Sequence, residues 1–112
     1  MNSSKNPVHI KEITAVKVLE GIQRKPLAFT ADGNLNYFEL EKGAKIPLHQ
    51  HAEAQIGYVI AGKLRFFTES TEFLAHAGHS YAFKRNEKHG AEVLETAVVL
   101  DFFTPLRKDY LP

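Results

Sequence analysis

The chain has 112 residues, room for one domain built around one core. Fourteen Lys+Arg against thirteen Asp+Glu leave a net charge of +1 with no basic run, so nucleic-acid binding has no electrostatic footing and a small-molecule partner is favoured. Cysteine is absent, which excludes disulfides, thiolate ligands and cysteine nucleophiles and leaves nitrogen and oxygen donors for any metal.

Residues 1–7, Met1 to Pro7, read as a loose polar tail, and the folded domain is expected over 8–112. The tail lacks the apolar stretch of a signal peptide, and no apolar run is long enough to span a bilayer, so a cytoplasmic protein with no membrane partner is expected. The stretch from Val8 to Leu19 reads as strand-forming material able to join a partner's sheet in a homodimer. Asp32-Gly33 marks a turn, and Leu35 to Glu41 alternates behind it. Gly57 to Ile60, Ala61-Gly62 and Lys63 to Phe67 together read as a hairpin. Ala52 to Ala61 is the one stretch that competes as a helix, and its Gly57, Val59 and Ile60 argue for a strand. A further reversal is expected at Glu69 to Glu72, and a late, mostly buried strand from Ala97 to Phe103, stopped by Pro105. Short runs cut so regularly by turn residues predict an all-β domain.

His49 and His51 stand two apart beside a predicted strand, so on extended backbone both imidazoles leave one face and can meet at one ion. Two histidines so spaced also occur as a wet surface pair, and it is their surroundings that favour a site. Gly43 lies six residues before His49, Gln55 four after His51, and Gly62 seven after Gln55. This pattern resembles the first cupin motif, G(X)5HXH(X)3-4E(X)6G, at every position except the carboxylate. Gly78 and His89 resemble the second, G(X)5PXG(X)2H(X)3N, with Lys84, Asn86 and Val93 in place of its Pro, Gly and Asn. Asparagine tolerates left-handed backbone, so Asn86 can still turn the chain. The resemblance implies a single-domain cupin, a double-stranded β-helix or jelly-roll barrel. It also implies one divalent transition metal, zinc, nickel, iron or manganese, held by His49, His51, Gln55 and His89. Glu53 is the rival for the fourth position, a better donor at the wrong spacing. His9, His76 and His79 are expected to lie outside the site.

The ending Asp101-Phe102-Phe103-Thr104-Pro105-Leu106-Arg107, taken with the Gln55 variant, resembles the KdgF-type cupins, which linearise unsaturated uronates in pectin and alginate breakdown. That resemblance implies a small anionic sugar acid as substrate, isomerised to its 4-deoxy-5-keto form. Asp101 and Arg107 stand at the catalytic positions, and Arg107 and Phe103 at the substrate-binding ones. Chemistry assigns compatible parts: a guanidinium fork matches a carboxylate, a buried carboxyl can carry a proton, and a phenyl ring gives an apolar wall. Asp101 and Arg107 paired with each other, merely pinning the C-terminus, is the competing reading. At the level of function the alternatives are a non-catalytic metal- or sugar-binding module and a cupin dioxygenase.

Overall fold

β-Branched and aromatic runs separated by turn residues become eight strands in the computed structural model, which describes residues 3–112. They are β1 (Val16–Leu19), β2 (Ile22–Thr30), β3 (Gly33–Leu40), β4 (Lys45–His49), β5 (Ala54–Thr68), β6 (Glu72–His76), β7 (Ser80–Phe83) and β8 (His89–Thr104). Two short 3₁₀ turns, Ile10–Glu12 and Lys108–Tyr110, are the helical elements among the described residues, and no helix is long and apolar enough to cross a membrane.

The two longest strands organise the rest. β5 and β8 run antiparallel from Ala54 opposite Thr104 to Thr68 opposite His89. One half of this ladder is flanked by β3 on β8 and β7 on β5; the other half is flanked by β4 on β8 and β6 on β5. β2 and β1 extend the first set beyond β3. The result is two sheets sharing their two central strands, a jelly-roll barrel whose core includes Ile22, Phe38, Val59, Leu64, Phe66, Val93 and Phe103.

The hairpin expected at Ala61-Gly62 is a correction: β5 passes straight through it. Gly62 has φ +87°, and a Cβ there would strike the Thr96 carbonyl oxygen and Ala97 of β8. With register shifts on either side, the glycine marks a bulge at which the long strands bend from one sheet into the other. The late strand is longer than expected and begins at His89, so the last histidine and Asp101 share one element. Of the Val8–Leu19 stretch only Val16–Leu19 is a strand, and it lies at the edge of the sheet beside the chain's own β2. The turns at Asp32 and Glu69–Glu72 fall where the residues placed them, and Asn86 has φ +60°. Of the tail, Met1 and Asn2 lie outside the described residues, whereas Ser4 is fastened to β2 through its amide (3.0 Å to the Phe29 carbonyl) and its hydroxyl.

At one end of the barrel the usual alternation is inverted. Asn34 and Asn36 of β3, Gln55 of β5 and Asp101 of β8 point inward and are buried, while Ile56, Tyr58, Ile60 and Phe102 face outward. The polar interior is where the site forms.

Candidate metal centre

Three strand ends converge. β4 closes with His49 and leads to His51, β5 opens with Ala54-Gln55, and β8 opens with His89, directly opposite His49 in the ladder. One nitrogen each from His49, His51 and His89 lies within 4.8 Å of the other two.

Each ring is aimed by the backbone. Nδ1 of His49 meets the Pro47 carbonyl at 2.9 Å, that of His51 meets the Glu53 carbonyl at 2.8 Å, and that of His89 meets the Glu87 carbonyl at 2.7 Å. A carbonyl only accepts, so Nδ1 carries the proton in all three and Nε2 is left with a free lone pair. Such tethers set tautomer and orientation in metal-binding histidines.

Two observations test whether these residues fit a cation. His89 Nε2 is buried without a hydrogen-bond partner among the described residues, a costly arrangement for a polar atom. His51 Nε2 faces Gln55 Oε1 at 3.1 Å although its Nδ1 is already committed, so in the neutral ring two acceptors confront each other. Protonation is not a ready remedy: burial, then the charge of Arg107, pushes the His51 pKa down, and burial takes that of His89 to about 4. A cation bound to both lone pairs removes the conflict, and three imidazoles with one amide oxygen suit a borderline first-row metal. The residues fit.

Glu53 stands behind the ring, its carboxylate 3.6 Å from His51 Nδ1, and is not among the converging donors, so the amide at the motif spacing is the better-placed fourth group. His9 caps the first 3₁₀ turn, and His76 and His79 are an exposed pair with rings 4.1 Å apart; none joins the cluster.

Beside the histidines lies a cavity of about 290 Å³, lined by His49, Gln55, His89, Asp101, Phe103 and Arg107 together with apolar core side chains. Asp101 does not pair with Arg107. The Tyr81 hydroxyl donates to Asp101 Oδ1 at 2.7 Å, while Arg107 Nε donates to Asp109 at 3.3 Å. Burial raises the Asp101 pKa to about 6 against the opposing pull of hydrogen bonds from Tyr81 and Gln55 and the charge of Arg107. Gln55 thus turns its oxygen to His51 and its amide hydrogens to Asp101. A glutamate there would set two carboxylates against each other. Phe103 is wholly buried, edge-on to His51 at 5.7 Å, and serves both core and cavity wall.

Tyr81 and Gly57 were not evident from sequence. Gly57 pairs with Tyr81 on one side and Asp101 on the other, and a Cβ on it would collide with both side chains. The glycine leaves room for the tyrosine and carboxylate to meet above it. Its sequence signal, a lone glycine inside a strand run, is the mark of close approach.

Residues 36–103 match the cupin domain family. The chain belongs to the cupin family. Among solved structures, KdgF from Halomonas sp. superposes with a TM-score of 0.87 at 33% identity, covering 93% of this chain and 98% of that one. An RmlC-like cupin from Shewanella frigidimarina reaches 0.92 at 23% identity over 99% and 100% of the two chains. A polyketide cyclase from Streptomyces resistomycificus reaches 0.78 at 18% identity over 90% and 80%. The last two speak for the cupin fold alone. No curated protein matches the chain.

Proposed function

We propose that this cupin is a metal-dependent isomerase of a small anionic carbohydrate, opening a 4,5-unsaturated uronate to its linear 4-deoxy-5-keto form. The observation that carries the reading is the convergence on one cavity of the histidine cluster, a carboxyl group and a guanidinium with unused donors. Arg107 Nη1 and Nη2 hydrogen-bond to no described residue, although the side chain is largely buried. A cavity of about 290 Å³ suits a monosaccharide-sized ligand rather than a polymer. The 33% identity to KdgF supports the same substrate class.

His49, His51, Gln55 and His89 would hold the metal, which when bound supplies Lewis-acid polarisation of a substrate oxygen. The protein's own groups perform the remainder. Arg107 takes the substrate carboxylate on its two free Nη donors, fixing the ring over the site. Asp101 accepts the anomeric hydroxyl proton as the bond from C1 to the ring oxygen breaks, leaving an aldehyde at C1 and an enolate at C5. The same carboxyl then returns the proton to C4, giving the ketone with no net loss of atoms. Tyr81 keeps Asp101 aimed throughout. Phe103 and its apolar neighbours exclude water from the enolate.

Turnover is followed by loss of the conjugated double-bond absorbance. Wild-type protein loaded with a first-row metal is expected to consume unsaturated uronate, and Asp101→Asn to lose at least about a hundredfold in kcat. Failure of the wild type with every first-row divalent metal sinks the reading, as does full activity in Asp101→Asn.

A further inference from the structure

Arg24 is a buried cation without a carboxylate partner among the described residues. From β2 it reaches the far end of the chain, where Nη1 donates to the Tyr110 carbonyl at 3.1 Å and Nη2 to the Asp109 carbonyl at 3.3 Å. These oxygens belong to the final 3₁₀ turn, whose last carbonyls have no partner within the turn itself. A guanidinium withdrawn from water needs its donors met, so charge and turn hold each other in place. The carbon of this guanidinium also stands 4.6 Å from the centre of the Tyr110 ring.

The same ring serves a second arginine. The Arg107 guanidinium lies 3.7 Å from the Tyr110 centroid and 4.9 Å from that of Phe103, and Phe103 meets Tyr110 edge-on at 5.5 Å. Asn34 grips the Arg107 main chain from both sides, accepting from its amide at 2.9 Å and donating to its carbonyl at 3.1 Å. Arg107 is therefore fixed by its backbone and by the face of its guanidinium, while its Nη edge stays uncommitted. Stacking on an aromatic face engages the charge and leaves the in-plane N–H groups free for a two-pronged contact. A donor held so beforehand loses little freedom when an anion arrives.

We infer that Tyr110 is a positioning residue, its ring holding the Arg107 guanidinium in the plane that receives a carboxylate, with Arg24 as the anchor that keeps Tyr110 there. The inference rests on the proposed role of Arg107 as carboxylate anchor.

The test uses the full-length, zinc-loaded protein with two probes: unsaturated uronate for turnover, and D-galacturonate, which has no double bond to isomerise, for binding by calorimetry. Tyr110→Leu is expected to raise KM about tenfold with little change in kcat, and to weaken D-galacturonate by a similar factor. Tyr110→Phe, which keeps the ring and loses the hydroxyl, recovers most of that loss, and Arg24→Gln falls between the two. A residue that merely stabilised the fold would not divide KM from kcat in this way. Wild-type affinity in Tyr110→Leu overturns the inference, and so does a Tyr110→Phe protein as impaired as the leucine variant. If the wild-type protein neither binds nor converts uronates, the proposed function has failed. The positioning role is then decided by the Arg107 Nε–H resonance of isotope-labelled protein. Its ring-shifted position must vanish in Tyr110→Leu and persist in Tyr110→Phe; a resonance unmoved by the leucine overturns the inference by itself.

Discussion

The histidines are aimed by carbonyls two residues away in the sequence, so each ring carries its own local support and the cluster stands ready before any ion arrives. His49→Ala, His51→Ala and His89→Ala are each expected to empty the site by elemental analysis, and Gln55→Ala to weaken metal retention less, since a neutral amide is the poorest donor of the set. The metal-free protein adds a dependence on pH. Burial holds His89 near 4 and lowers His51 in the fold, whereas the unfolded chain takes up those protons near 6.5. Below about 6.5 the unfolded state binds the extra protons. Stability that is complete above that pH is lost as pH falls towards about 4. Asp101, raised to about 6 by burial, gains protons in the fold and works in the opposite direction over the same interval, so the measurement is a comparison. Melting temperatures of chelated His89→Leu should fall less than those of the chelated wild type between about pH 6.5 and 4, and an equal slope in both proteins rejects the assignment of His89. The three-histidine cluster was legible because its signal is spacing along the chain; spacing also favours Gln55 over Glu53 as the fourth group, and Glu53 stands behind the His51 ring. Tyr81 and Arg24 were not legible, because their meaning lies in partners on other strands and in the C-terminal turn, Asp101 and the Asp109 and Tyr110 carbonyls.

Among the elements, β5 shows how one local signal serves two structures. A small residue and a glycine between two β-branched runs mark a hairpin when the chain folds on itself, and a bulge when a neighbouring strand presses on it. What decides is Thr96-Ala97 of β8, far away in sequence. Gly43 supplies a control, with φ +89° and open space where a Cβ would be, against φ +87° and backbone contact at Gly62. Gly43→Ala should cost about 1 kcal/mol, the strain of left-handed backbone alone. Gly62→Ala should cost upwards of about 3 kcal/mol, because the strands must also part. Urea unfolding of the two variants measures the difference, and equal costs would return Gly62 to the status of an ordinary turn glycine. The remaining strands were readable where a turn residue bounded an alternating run, as for β3 and for the reversal before β6, and unreadable in the first half of β8, where Glu92, Glu95 and Thr96 break the apolar pattern.

For the molecule as a whole, the inversion at the site end of the barrel has an outer face. Ile56, Tyr58, Ile60 and Phe102 are 54, 48, 44 and 41% exposed on adjoining strands, with Ile56 directly opposite Phe102. These four present roughly 400 Å² of largely apolar surface, enough to form the centre of the ~800 Å² per partner that a stable association buries. A second copy of the chain suits so apolar a face, and light scattering on the eluting protein is expected to give the mass of a dimer. The double change Ile56→Lys and Tyr58→Lys should yield a metal-loaded monomer; a monomeric wild type at micromolar concentration rules the association out. The barrel also treats its donors unequally. Gln55 and His89 belong to β5 and β8, which cannot separate without dismantling both sheets, whereas His49 ends β4, paired among the described residues with β8 alone and carrying Pro47 as edge strands do. Peeling one edge strand is far cheaper than unfolding a domain. Loss of a bound ion through the peeling of β4 is therefore expected to be faster than unfolding of the barrel, and metal exchange measured beside the unfolding rate compares the two.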